Sequence, residues 1–563
     1  MSNLLFRLNK QKFFLNRITK TNKILLLALF LSFSFSLYGL HWGWVECWNP
    51  DQMAFRDLFH PDKIPFNPAN FKKPPFHTYF NFFLSEVPFR IVRRIFHLSP
   101  DVFLSAKLLW SRSLTVFLFA GTIILSFQIT KRFFGIFAAE IVVLIFATSA
   151  GFIVDSHFLT ADIPVLFWMM LALYFTQNIT FYGRRKDYVL AGLITGIATA
   201  TKYNGLAIGI TIVVSHILQL KSYTWKQILC SKNLLIGLCM VPMGFLIGNP
   251  FALIDYQTFI NDFRYNYVIA PIFDGSTEPG QGYWKFLVNM QEIIGFPALI
   301  GSAIAVLFAL FFLAIGRIRC REKQGIILLL AVFLLYYYKF GSFPRLPVRF
   351  VMPALPFWLI LSGVFWQRLK SYKLAVATIL CIIVTYNSIS SFYVGKRFAE
   401  DPRMQAQAWV KDNIPPTASI DSDRYTPSWN LVSGIQLTDN RLAHVTGRRK
   451  IFEQIFPADA WVMKEIRKRQ DDTDAVQGFT FTELMQRQPD YIAVDSIQYN
   501  RFLQEKPALL YPSMKKFYSE LLEEKYPYKI VFDRTTPTLP KWIYPQKIEF
   551  VDNRIVILKK VND

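Results

Sequence analysis

The chain has 563 residues, 53% of them hydrophobic and 17% aromatic, with a mean hydropathy of +0.28, a profile that excludes a large soluble enzyme and fits a polytopic membrane protein. Lysine and arginine outnumber aspartate and glutamate 62 to 39, a formal charge of +23, which would imply nucleic-acid binding only if the basic residues shared one face. The five cysteines (Cys47, Cys230, Cys239, Cys320 and Cys381) have no paired spacing and offer neither a zinc site nor a disulfide framework.

A bilayer core takes roughly 20 apolar residues per helix. Runs of that order occur at 24–40, 105–128, 136–153, 163–179, 188–201, 205–219, 233–248, 291–315, 324–339, 350–366 and 374–392, which predicts about eleven spans. The first run reads as a retained anchor, because no small-residue cleavage site follows it and Trp42 and Trp44 sit where an interfacial belt belongs. Basic residues recur in every second loop: Arg7 to Lys23 before the first run, Lys131-Arg132, Arg184-Arg185-Lys186, Lys221 to Lys232, Arg317 to Lys323, and Arg368 to Lys373. Positive charge marks the cytoplasmic side. The surplus is therefore a topology signal, and no nucleic-acid partner is expected. This reading places the N-terminus in the cytoplasm and residues 393–563 outside the cell inner membrane.

The first outer loop, 41–104, contains WNPDQMAFRDLFHPDKIPFNPANFKKPPFH (48–77), too rich in Pro and charge to span and too aromatic for an idle linker. Asp51 lies close after the first span, where a carboxylate can serve as general base; it also fits the N-cap of a short helix over 52–58. Asp62, in a second Pro-Asp pair, is its rival. Lys72 and Lys73 suit phosphate or snorkel to headgroups. The turn 155–164 places Asp155, His157 and Asp162 together. Asp162 fits a helix cap, which leaves Asp155 and His157 without a role; Asp/His sets bind divalent metals, though this spacing is not diagnostic. Lys107, Arg112, Lys202, Lys339, Arg345 and Arg349 lie at outer membrane boundaries, where cations suit a lipid-linked phosphate or snorkel. A second long outer loop covers 249–290. Residues 393–563 read as a soluble α/β domain, with a helix over Met404–Asn413, strands at Tyr491–Val494 and Ile530–Phe532, and a hairpin or strand pair over Ile548–Leu558. Residues 1–392 form the membrane domain.

The order of these elements resembles polyprenyl-phosphate-sugar-dependent glycosyltransferases of the GT-C superfamily, in the bacterial branch related to protein O-mannosyltransferases and the lipid A aminoarabinose transferase. The elements are Asn49-Pro50-Asp51-Gln52, Lys73-Pro74-Pro75, Asp155-Ser156-His157-Phe158 with Asp162-Ile163-Pro164, Thr201-Lys202-Tyr203-Asn204-Gly205, Asn249-Pro250-Phe251-Ala252-Leu253, and Arg349 through Pro356. The likeness covers roughly residues 45–365; its one departure is Gln52, where the family often has Glu. The resemblance implies a membrane glycosyltransferase that moves a sugar from a polyprenyl phosphate to a lipid, glycan or protein acceptor, with inversion. It implies Asp51 as base and Asp162 as a second catalytic carboxylate. Asp155, His157, Lys202, Tyr203, Arg112, Arg349 and Lys73 are the implied substrate contacts. A divalent metal on Asp162 and His157 is the cofactor expectation. The rival classes are a secondary transporter, which would put its ionisable residues at the bilayer midplane, and a non-catalytic lipid- or glycan-assembly protein on the same scaffold.

Overall fold

In lipid every backbone N–H and C=O must find its partner inside the chain, so apolar runs fold as helices. A computed structural model of the protein describes residues 22–561 except 44–45, 47, 60, 221–223, 225–227, 229, 270–280, 344–345, 433–436, 443–451, 454, 462, 465–477 and 505–506. Every apolar run named above is helical. Among the described residues, six helices are long and apolar enough to cross a membrane: Val102–Phe133, Asp162–Tyr182, Phe296–Ala314, Cys320–Gly341, Val348–Ser371 and Lys373–Asn413. Ile136–Thr148 with Ala150–Ser156 makes a seventh if the pair is one span bent by 57°. Lys23–Leu37, Tyr203–Gln219 and Lys232–Gly248 are apolar but shorter. The run expected at 291–315 is broken by Gly295, at φ +80°, into Gly282–Ile294 and Phe296–Ala314. The chain is mostly helical, with several helices of the length and composition that cross a membrane.

Some hydroxyls inside the helices are satisfied locally. Thr122, Ser126 and Thr130 each donate to the carbonyl four residues back, at 2.7–2.8 Å. Small residues set the closest helix contact. A Cβ on Gly192 would stand 2.1 Å from the Gly237 carbonyl oxygen, and one on Gly244 2.1 Å from that of Leu193. Helices Arg185–Thr201 and Lys232–Gly248 therefore touch backbone to backbone, as small residues permit in membranes. At the bend, Ser391 donates to the Thr148 carbonyl at 2.8 Å, taking up an acceptor the kink leaves exposed.

The first loop has no helix over 52–58. Asn49 accepts from the Asp51 N–H at 2.8 Å, an Asx turn, and a 3-10 turn follows at Phe55–Leu58. Asp51 is thus not a helix cap. Helix Val87–Phe96 leaves Ile91, Ile95 and Phe96 exposed and carries Arg90, Arg93 and Arg94, the composition of an interfacial helix.

The C-terminal segment builds a five-stranded sheet of order β2-β1-β3-β5-β4, from β1 (Ser419–Ser422), β2 (Thr438–Arg441), β3 (Tyr491–Asp495), β4 (Tyr528–Thr535) and β5 (Arg554–Lys560). β1 runs parallel to β2 and β3, and β5 is antiparallel to β3 and β4. The pair expected over Ile548–Leu558 is one strand only. Residues 545–553 form a strap instead, whose Ile548 and Val551 join the membrane-side core. Arg397 holds the strap through the Pro545 carbonyl and Asp552, and Glu292 accepts from the Gln546 N–H.

A fully buried ion pair ties loop, strap and sheet together. Arg403 donates through Nε and Nη2 to Asp401 at 3.0 and 2.7 Å. Asp401 also accepts from Trp42 Nε1 at 2.7 Å, and Arg403 donates to the Phe550 carbonyl and lies 4.4 Å from the Trp48 ring. Removing one partner of such a pair costs about 3–5 kcal/mol, because the other charge stays buried. Asp401→Ala is accordingly expected to lower the melting temperature of the purified protein and to raise hydrogen exchange in residues 545–553. Unchanged melting and exchange would show that the pair is dispensable.

Candidate active site

Asp51 reaches its place because the loop that carries it is pinned at several points. Met53 N–H donates to the Leu159 carbonyl. Farther along, Phe71 N–H donates to Asp262 at 2.6 Å, Tyr203 Oη donates to the Phe71 carbonyl at 2.6 Å, and Asn266 donates to the Lys72 carbonyl. Helix Tyr256–Ile269 of the second loop thus fastens 71–72 and aims the next residue, Lys73, at Asp51.

Asp51 sits between two cations. Lys73 Nζ is 2.8 Å from one carboxylate oxygen, and Arg349 Nη1 is 2.6 Å from the other. Burial alone pushes the Asp51 carboxyl up, but the charges of Arg349 and Lys73 and their hydrogen bonds outweigh it and hold the group well below the usual carboxylate range. Arg349 reaches a second carboxylate, Glu549 of the strap, at 3.9 Å. Beside this cluster Lys202 Nζ meets Asp162 at 2.5 Å and lies 5.5 Å from the Phe350 ring. Asp162 stands in the first turn of its helix rather than at the cap. Asp155, buried, lies within electrostatic reach of Asp162, Arg349, Lys202 and Glu549.

Asp51, Lys73, Asp162, Lys202, Arg349 and Glu549 line a cavity of about 1700 Å³. Its walls are polar near Asp51, Lys73, Asp162, Lys202, Tyr203 and Arg349. An apolar arm continues along Leu206, Ile210, Val213, Leu238, Val241 and Leu335, between helices Tyr203–Gln219, Lys232–Gly248 and Cys320–Gly341.

The structure brings together Asp51, Lys73, Asp162, Lys202, Tyr203 and Arg349, with Asp155 close behind. It leaves Arg112 and His157 out of the cavity lining. Arg112 is fully buried and donates to the Leu40 carbonyl at 2.9 Å and to that of Trp42, so it anchors the loop where the loop leaves the first helix. Both ring nitrogens of His157 face backbone carbonyls, of Ile153 at 2.7 Å and Tyr38 at 2.9 Å, and the ring stacks on Phe398. With His157 so committed and Asp162 on Lys202, the pair expected to hold a metal does not fit one. Among the described residues no group of three or more His, Cys, Asp or Glu is placed to bind a metal ion. Asp62 is exposed and outside the lining. Lys107 pairs with Glu86 at 2.8 Å, and Lys339 lies 4.9 Å from the Tyr267 ring. Arg345 lies outside the described residues. Sequence reasoning missed Glu549 and the other cavity residues of the C-terminal segment, which carries no motif that marks them.

Residues 95–264 match the family model described as dolichyl-phosphate-mannose-protein mannosyltransferase, a glycosyltransferase family. No curated protein matches the chain. Among solved structures the chain is similar to ArnT from Cupriavidus metallidurans bound to undecaprenyl phosphate, at 14% identity and a TM-score of 0.48, covering 96% of this chain and 98% of that one. It is also similar to the oligosaccharyltransferase of Archaeoglobus fulgidus in complex with Zn and sulfate, at 13% identity and a TM-score of 0.41, covering 86% and 70%. The same enzyme tethered to an acceptor peptide matches at 14% and 0.44, covering 93% and 74%.

The charge triad makes a pH-dependent prediction. The folded value of Asp51 lies below the unfolded one of roughly 3.9. The cations therefore stabilise the fold above that pH, and the gain is lost as pH falls through the folded value. Lys73→Met and Arg349→Gln should each melt below wild type at pH 7. That gap is expected to hold down to about pH 5 and to narrow below roughly pH 4. A gap that is constant or widens on acidification would mean that Asp51 is not held by these cations.

Proposed function

We propose that this protein transfers a sugar from a polyprenyl-phosphate donor to an acceptor at the outer face of the membrane, inverting the anomeric carbon, with Asp51 as general base. The observation that carries this reading is one cavity with an apolar arm between membrane helices and a carboxylate–cation cluster at its head. An isoprenoid chain requires the first, and its phosphate requires the second. The family match over residues 95–264 and the order of the six motifs support the same reaction class.

The chemistry follows from the residues. The acceptor hydroxyl or amine attacks the anomeric carbon as its proton passes to the Asp51 carboxylate, and the bond from that carbon to the phosphate oxygen breaks. The leaving polyprenyl phosphate keeps the electron pair, and Arg349, Lys73 and Lys202 neutralise it. A carboxylate gripped by two cations is a weak base. Donor phosphate competes for Arg349 and Lys73, and as they turn toward it Asp51 loses opposite charge and gains proton affinity. Donor binding thereby readies the base. Asp162 holds Lys202 at the phosphate, and Tyr203 fixes the loop through Phe71. No step requires Arg112 or His157 to touch substrate.

Asp51→Asn keeps the shape and removes the basic carboxylate. Turnover of a radiolabelled lipid-linked sugar is expected to fall roughly 10²–10⁴-fold, the usual worth of general-base assistance, while Asp62→Asn stays near wild type. Near wild-type transfer by Asp51→Asn would reassign the base. Orientation is tested separately. A reporter that is active only in the cytoplasm, fused after residue 563, should stay dark, since the alternating basic loops put 393–563 outside the inner membrane. Activity there would place the cavity on the wrong side for this reaction.

A further inference from the structure

The cavity has a third wall, built by the sheet. In open α/β sheets ligands bind beyond the carboxyl ends of the parallel strands, at the point where strand order reverses. Here β1 lies between β2 and β3, so that point falls between β1 and β3. The chain leaving β1 contributes Arg424 and Tyr425 to the cavity. The chain leaving β3 contributes Ser496, Ile497, Asn500 and Arg501.

The cations on this wall differ from those around Asp51. Lys73, Arg349 and Lys202 each hold a carboxylate. Arg424 and Arg501 have no hydrogen-bond or ion-pair partner among the described residues, and Nη1 of Arg501 is shielded from solvent with no acceptor. A buried N–H without a partner is costly and calls for an explanation. The acids that end β1 and β3 do not supply one. Asp423 turns inward onto the N–H groups of Tyr425 and Asp495, and Asp495 onto the Ile497 N–H and the Asn553 amide. The strap adds exposed Lys547 to the same cavity and stacks Phe550 on Tyr425, ring centroids 6.5 Å apart. Over the whole cavity, eight Lys and Arg side chains face four carboxylates among the described residues.

We propose that the carboxyl ends of β1 and β3, through Arg424 and Arg501 with Lys547, form a subsite for an anionic group, a phosphate monoester or a carboxylate, on the molecule that receives the sugar. Guanidinium groups match both oxyanions with paired N–H donors. The assignment to the acceptor rests on the transferase reading; the anion site itself does not.

The test is binding to the purified full chain in detergent at low ionic strength, read as melting temperature against ligand concentration. The probes are glucose 1-phosphate, glucuronate and neutral glucose. At least one charged sugar is expected to stabilise the protein where glucose does not. The tighter of the two distinguishes a phosphorylated headgroup from an acidic glycan. Arg424→Gln with Arg501→Gln should weaken that binding tenfold or more and leave the unliganded melting temperature unchanged or higher, because neither side chain holds a partner among the described residues. Arg501→Lys should keep most of it. Asp51→Asn should bind as wild type does, whether or not transfer proves to be the reaction. Equal stabilisation by glucose, survival of the response in the double variant, its loss in Arg349→Gln instead, or a lower unliganded melting temperature in the double variant would each overturn the subsite.

Discussion

The arrangement of the cavity depends on one buried ion pair. Asp401 and Arg403 sit two residues apart, both with no exposed surface. Together they take in Trp42 from the first loop, Trp48 from the same loop, and the Phe550 carbonyl from the strap. Two charges removed from water are tolerated only when each is saturated with partners, so the three segments can vary little in how they meet. Glu46 repeats the connection, accepting from Gln407 at 2.9 Å and from the Ser428 N–H. The sheet thereby stands over the membrane helices closely enough that the strap puts Glu549 beside Arg349.

The same economy governs Asp51. Its two cations come from segments far apart in the chain: Lys73 through the first loop and Arg349 at the start of helix Val348–Val351. Both pair with the one carboxylate, which their charges hold well below the usual carboxylate range. In the proposed reaction the donor phosphate would draw both cations away and so raise the proton affinity of Asp51. Arg424 and Arg501 show the opposite arrangement, cations without a hydrogen-bond or ion-pair partner among the described residues, on the chain leaving β1 and β3.

Much of the fold was legible in the sequence. Composition marked the membrane class, and each apolar run became a helix, because lipid leaves the backbone no other way to satisfy itself. Asp51, Lys73, Asp162, Lys202, Tyr203 and Arg349 were named from short motifs and share one cavity. Arg112 was named from its place at the outer end of a span and His157 from a short motif shared with Asp155, and neither signal says which way a side chain faces. Arg112 turns to the loop carbonyls and His157 to Ile153 and Tyr38. The strands Ser-Ile-Asp-Ser and Thr-Asp-Asn-Arg carry too few β-branched or aromatic residues to be read as strands, and they exist because the sheet pairs them.

By itself the sequence determined the membrane character, the helical runs and the loop that holds Asp51, since these follow from local hydropathy and from residues near one another in the chain. The tertiary structure alone decided which cations hold Asp51, that a strap rather than a hairpin precedes β5, and that the sheet completes the cavity. The reason is distance along the chain. Ion pairs such as Arg349 with Asp51, and Glu549 beside it, depend on packing between segments hundreds of residues apart, and no local pattern records that packing.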